Sequence, residues 1–416
     1  MNRLLQQVKM TQVFRSLQNR NYLLFFFGQG LSLIGTWMQR IAISWLVYRL
    51  TNSAFMLGTV SFVTQIPTFL LAPIAGVFAD RWNRQRILVI TQVLSMLQAL
   101  TLAFLVLSDQ IQIWQVLLLG CLLGIVNAFD TPVRQAFVID MVDNKKDLGN
   151  AIALNSTLMN GARLLGPSIA GMLISIVGEG MCFLLNGLSY IAVVAALVAM
   201  RIIPKKIEIT GNDVWQELCE GCSYAFRSIP IRSILLLLAL VSLAGMPYTV
   251  LMPIFAIEIL HGGPHTLGFL MGAVGIGALL GAVFLASHSD ASSLGSWIVV
   301  SCALFGFGLV IFSFTTVFWI SLIVLVIVGF GMMVQMALSN TILQSIVDDS
   351  KRGRIMSFYT MAFMGMAPFG SLLAGSFAQS LGTTTTILLG GICCLLGAAY
   401  FAVKVRLPEL ISPSGQ

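Results

Sequence analysis

Two arginines stand inside apolar runs of this 416-residue chain, and they are the side chains best suited to do chemistry. Arg40 belongs to a polar stripe. At 3.6 residues per turn, Gln29, Ser32, Thr36, Gln39, Arg40 and Ser44 fall within an arc of about 140°. Leu, Phe, Ile and Trp occupy the opposite arc. Arg163 sits mid-run in Asn-Gly-Ala-Arg-Leu-Leu-Gly-Pro, sharing a narrow face with Ser156, Asn160 and Pro167, where glycines such as Gly166 allow close approach. The nearest acids, Asp130, Asp140 and Glu258, lie toward the ends of their runs, so no carboxylate matches either arginine in depth. Two readings stay open for each. Arg40 either reaches to a polar interface or lines a cavity with its stripe. Arg163 either is satisfied by backbone carbonyls and Asn160 or faces water and anions.

Two other constellations carry charge at run ends. In Asn-Ala-Phe-Asp-Thr-Pro-Val-Arg, Asn127, Asp130, Thr131 and Arg134 share one face, and Asp130 with Arg134 is an i,i+4 opposite-charge pair. Such a pair suits a gate or brace better than a substrate or proton site. Further back, Gly76 to Arg86 reads Gly-Val-Phe-Ala-Asp-Arg-Trp-Asn-Arg-Gln-Arg. Asp80 at a helix end, followed by Arg81 and Arg84, is placed to latch one half of a protein against another and release it.

Enzyme chemistry finds no support. The three histidines, His261, His265 and His288, lie in or beside loops; no nucleophile triad, metal-ligand cluster or phosphate loop is present, and no cofactor or metal is expected. Of the seven cysteines, Cys121, Cys182, Cys302, Cys393 and Cys394 fall in apolar runs and read as small hydrophobes. Cys219 and Cys222 form a Cys-x-x-Cys, but with no second pair and no neighbouring His they read as linker residues.

The elements that must position these residues follow from composition. With 57% hydrophobic and 9% charged residues and a mean hydropathy of +0.92, the chain cannot clothe a soluble surface. A soluble enzyme, a nucleic-acid binder and a disulfide scaffold are excluded. Apolar runs predict twelve membrane-spanning helices at about 22–48, 54–79, 87–107, 113–135, 150–177, 181–201, 233–259, 266–287, 295–314, 317–343, 354–380 and 383–404. The break between the ninth and tenth, near Thr315, is the weakest. No cleavable signal is expected, because residues 1–20 carry Arg3, Lys9, Arg15 and Arg20 without an apolar core. With the amino terminus cytoplasmic, all but three of the 23 Lys and Arg residues fall in inside segments. Arg49 lies outside, and Arg40 and Arg163 within spans. Both termini are therefore expected in the cytoplasm of a multi-pass, bacterial inner-membrane protein.

The long polar stretch at mid-chain divides the spans six and six. The expected organisation is a cytoplasmic segment 1–20, a six-helix half 21–201, a linker 202–232 with an amphipathic surface helix at 213–226, a second half 233–405 and a tail 406–416. The halves repeat weakly. Residues 142–154 match 347–359, and each leads into a Gly/Pro-interrupted helix, 161–171 and 365–375. Paired broken spans of this kind point to a secondary transporter rocking about a central site.

On these residues the chain resembles the major facilitator superfamily. Residues 76–86 are similar to its loop-2/3 signature, with Asn83 where glycine is usual. Residues 164–171, Leu-Leu-Gly-Pro-Ser-Ile-Ala-Gly, resemble the helix-five Gly-Pro motif of exporters, with Ala170 for one glycine. The stretches 35–53, 130–137 and 253–268 look like the enterobactin-exporter and macrolide-efflux branch. The resemblance implies an all-α fold of two pseudo-symmetric six-helix halves, alternating access, and a cavity lined by the first, fourth, seventh and tenth spans. By analogy, Gln29, Thr36, Arg40, Asn127 and Gln335 would line that substrate cavity. Asn160, Arg163, Gly166 and Pro167 would form a face between the halves, and Gly76, Asp80, Arg81, Arg84, Asp130 and Arg134 a cytoplasmic latch or gate. Two features depart from the pattern. Residues 287–296 lack the second half's basic latch, and the fourth span lacks the mid-membrane Arg of many drug/proton antiporters, so a coupling proton would fall to Asp130 or Glu258 if buried. The expected partners are a small-molecule substrate, the lipid bilayer and such a proton, with no nucleic acid and a monomeric state. The leading expectation is export of a small amphiphilic, anionic, siderophore-like molecule or drug. A lipid or lysolipid flippase on the same fold, or a membrane receptor without transport, is the alternative.

Overall fold

The computed structural model describes residues 15–142, 147–200, 202, 224–287, 291–348 and 351–404, without the side chains at 72–73, 76–81 and 291–295. Among the described residues there is no strand. A short 3-10 turn, Arg15–Gln18, precedes six helices: α1 Arg20–Thr51, α2 Ala54–Arg81, α3 Arg84–Leu107, α4 Ile113–Asp140, α5 Leu148–Val177 and α6 Glu179–Ala199. Six more follow: α7 Ile229–Ile259, α8 Pro264–Ser287, α9 Ala291–Phe314, α10 Phe318–Ile346, α11 Arg352–Leu381 and α12 Thr383–Lys404. The amphipathic helix expected at 213–226, with Cys219 and Cys222, lies almost wholly outside the described residues.

Length and apolar content drive these helices, since lipid cannot satisfy a bare backbone. Eleven of the twelve are long and apolar enough to cross a bilayer. The other is α1, whose 32 residues reach about 48 Å but whose polar stripe holds its hydropathy down. Boundaries shift from the expected ones for local reasons. Pro230 sits in the first turn of α7, where its missing N–H costs nothing, so that helix starts before residue 233. The break between α9 and α10 falls at 315–317, closed by Thr315 donating to the Phe312 carbonyl and Ser321 donating to the Thr315 hydroxyl (2.8 and 2.9 Å). Asn83, in place of the usual glycine, caps α3 by accepting the Arg86 N–H at 3.1 Å.

The chain forms two compact units, Met1–Leu46 with Ile66–Ile209, and Val47–Gln65 with Thr210–Gln416. In the first unit, one core joins Tyr22, Phe25, Leu88, Phe137, Met141 and Leu197, and the Tyr22 hydroxyl donates to the Ala151 carbonyl at 2.7 Å.

The second unit takes in the ends of α1 and α2. Gly58 lies so close to α11 that a Cβ there would meet the Ser371 carbonyl at 2.5 Å and the Gly375 Cα at 3.1 Å. The Tyr48 hydroxyl donates to Glu258 at 2.5 Å. Also in this unit, α7 contains two π turns, Val241–Gly245 and Phe255–Ile259, and α11 contains one, Met361–Gly365. Ser242 in the first donates to the Phe363 carbonyl in the last.

Candidate functional site

The two intramembrane arginines meet on one ring. The Arg40 guanidinium lies 4.7 Å from the centroid of Trp37, and that of Arg163 lies 5.8 Å from the same centroid. Gly166 makes this possible, because α5 presses so closely on α1 that any Cβ at 166 would strike the Trp37 side chain. Gly166 and Pro167 are buried, Trp37 and Arg163 are half-buried, and Arg40 is exposed. The Asn160 amide donates to the Ser156 carbonyl of its own helix at 2.9 Å. Two like charges in one place repel, and the negative face of an indole offsets part of that cost. An anion with an apolar or aromatic body complements such a locus.

The polar stripe of α1 divides. Its buried members turn into the bundle: Gln39 donates to Gln98 of α3 at 3.0 Å and accepts from Asn186 of α6 at 2.6 Å. Thr36 donates to the Ser32 carbonyl at 2.9 Å and lies 3.5 Å from the Tyr190 hydroxyl. Gln29 lines a separate, tightly closed crevice with Gln92, Arg134, Phe25, Leu88 and Leu197. Arg40, Trp37 and Arg163 converge on one locus, and Gln29 and Arg134 on the other. Asn127 is half-buried on α4. Gln335, in the other unit, is 2% exposed and its amide lies 3.4 Å from the Ser339 hydroxyl.

Asp130, one turn before Arg134 on α4, is 3% exposed. It pairs with Arg134 at 3.1 Å and accepts from the Thr91 hydroxyl (2.9 Å) and the Gln92 amide (2.7 Å). Glu258, the other acid considered for a proton, is exposed. Arg84 donates to Asp140 at 2.9 Å, tying the start of α3 to the end of α4. Gly76, Asp80 and Arg81 belong to the last turns of α2, and their side-chain surroundings lie outside the description. Sequence reasoning missed Trp37, Thr91, Gln92, Gln98 and Asn186. The signal for α3 was present: Thr91, Gln92, Ser95 and Gln98 recur at helical spacing in an apolar run, and all four are buried.

Similarity to known proteins agrees with this architecture. A family model described as a transmembrane secretion effector matches residues 11–414. The staphyloferrin A transporter of Staphylococcus aureus is 29% identical over 403 residues, covering 92% of this chain and 98% of that protein. Macrolide efflux protein A of Streptococcus pyogenes is 24% identical over 392 residues, covering 92% and 96%. Among solved structures, a POT family transporter in complex with 5-aminolevulinic acid superposes with a TM-score of 0.75 at 10% identity, covering 95% of this chain and 97% of that one. A multi-pass helical chain matched along nearly its whole length in this way belongs to the transmembrane secretion effector family of major facilitator superfamily transporters.

Proposed function

We propose that this carrier exports a small, amphiphilic, anionic molecule of siderophore or drug type from the cytoplasm, by alternating access, as a monomer with a proton as the coupling ion. The observation that carries the reading is the pair of guanidiniums on Trp37, a cationic and aromatic locus between two membrane-spanning helices. Carboxylate or catecholate groups would meet the arginines, and an apolar body would meet the indole. The names of two similar proteins, a staphyloferrin A transporter and a macrolide efflux protein, support a small-molecule cargo of siderophore or drug type. The distribution of Lys and Arg supports cytoplasmic termini.

The test compares medium and cell extract from the native host with and without the gene, under iron limitation. The expected result is an anionic metabolite that disappears from the medium and accumulates inside the deletion strain. An unchanged profile, together with unchanged sensitivity to a panel of anionic and neutral drugs, would contradict the reading. A change confined to lipid distribution would favour a flippase.

A further inference from the structure

The helices that carry the two arginines run side by side in one register. The Tyr22 hydroxyl donates to the Ala151 carbonyl, a Cβ on Gly30 would meet the Leu158 side chain at 3.2 Å, and a Cβ on Gly166 would strike the Trp37 side chain. These pairs lie 129, 128 and 129 residues apart, so α1 and α5 are parallel neighbours that advance together turn for turn. A Cβ on Gly166 would also stand 3.0 Å from the Ile34 carbonyl and 3.3 Å from the Met38 backbone nitrogen, so the backbones touch there. This register sets the level of each charge. Trp37 stands opposite Gly166. Arg163 therefore enters one turn before the ring and Arg40 one turn after it, each displaced by about 4.5 Å along the helix axes. Their guanidiniums, 5.8 and 4.7 Å from the ring centroid, are no more than about 10.5 Å apart.

From this geometry we infer that the cargo is a dianion, with two anionic groups at opposite ends of a short apolar body. A guanidinium is a planar fork that takes one carboxylate through two parallel N–H donors. The ring stands between the levels from which the two arginines reach, so a carboxylate seated in one fork leaves the other fork across the indole. A second anionic group, at the far end of the body, meets that other fork. The body itself lies along the line of contact between α1 and α5, against Trp37, whose neutral ring attracts both cations and discharges neither. The neighbouring amide fits a role that adds no charge: Asn160, one turn before Arg163 on α5, is half-buried and donates to the Ser156 carbonyl of its own helix. Arg40, the more exposed of the two arginines, is the end from which such a molecule is first met.

This inference rests on the reading of the Trp37 locus as the place where an anionic cargo binds, and its test separates the two. The purified full-length protein in lipid nanodiscs is titrated calorimetrically with naphthalene-2,6-dicarboxylate, with its half-amide and with its neutral diamide, three probes of one shape and of charge −2, −1 and 0. The expected result is that the dianion binds about tenfold more tightly than the half-amide, the gain from one further charge-assisted contact. In Arg40→Gln and in Arg163→Gln the dianion is expected to fall to the affinity of the half-amide. Equal affinities of dianion and half-amide in the native protein, no binding of the dianion, or a tenfold preference that survives in both variants would each overturn the assignment. If dianion and half-amide bind equally but both bind more tightly than the diamide, the anionic-cargo reading stands without it; if all three bind equally, that reading falls as well. The comparison in the native protein needs no variant, so it decides the matter even if a substituted form fails to fold.

Discussion

At Trp37 two guanidiniums share one aromatic ring, whereas at Asp130 one carboxylate takes one guanidinium and two neutral donors. Both loci lie in the first unit. The difference is in what completes each charge. At Asp130 the arginine is matched by a carboxylate on its own helix. At Trp37 the two positive charges share the negative face of an indole. An intramembrane arginine thus has no fixed meaning, and its neighbours decide whether it braces or binds.

The comparison breaks most severely if the contact that assembles the first locus is filled. Gly166→Val places a branched side chain where the Trp37 side chain already lies. The expected outcome is loss of folded protein, seen as aggregation in size-exclusion chromatography after detergent extraction. A normal elution profile would mean that α1 and α5 separate without cost. Next in size is Arg134→Ala, which leaves Asp130 buried without its ionic partner. Breaking a buried pair costs about 3–5 kcal/mol; because the Arg134 side chain keeps 21% of its exposure, the expected loss sits near the lower end, about 3 kcal/mol. The reading is a lowered thermal midpoint in detergent, largely recovered in Asp130→Asn/Arg134→Ala. Smaller again is Trp37→Leu, which removes the cation–π face while keeping an apolar side chain. With about 1 kcal/mol at stake at so accessible a ring, cargo affinity should weaken roughly fivefold, and Trp37→Phe should restore most of it. The smallest effect is expected at Arg84→Ala. That pair with Asp140 is part-exposed, with side chains 19% and 16% accessible, and should contribute about 1 kcal/mol or less, measurable as a shift of a degree or two in the same thermal assay.

Much of this was legible in the chain itself, and the parts that were not have physical reasons. Apolar runs marked twelve helices because lipid imposes one solution on them, and the break at Thr315 showed as two threonines between runs. The Arg40 stripe was visible, but its division was not. Periodicity says that Gln39 and Arg40 share a face, not that Gln39 meets Gln98 and Asn186 while Arg40 turns to Trp37. Trp37 escaped notice because an indole in an apolar run looks like lipid-facing bulk. Pairing Asp130 with Arg134 needed only i,i+4 spacing. The partners from α3 needed the fold, since Thr91 and Gln92 lie 39 and 38 residues away in sequence. The π turns of α7 and α11 left no sequence mark, because one extra residue in a turn changes no periodicity that short runs can register.

The most direct measurement of the central claim uses two organic probes matched in size, one anionic and one cationic, carried by inverted membrane vesicles. Transport is compared between the native protein and the Arg40→Gln, Arg163→Gln and doubly substituted forms. If the Trp37 locus binds the cargo's negative group, transport of the anionic probe falls about tenfold in each single variant, a loss of about 1.4 kcal/mol, and further in the double variant, while the cationic probe is unaffected. Equal loss for both probes would contradict the account and make the two arginines structural.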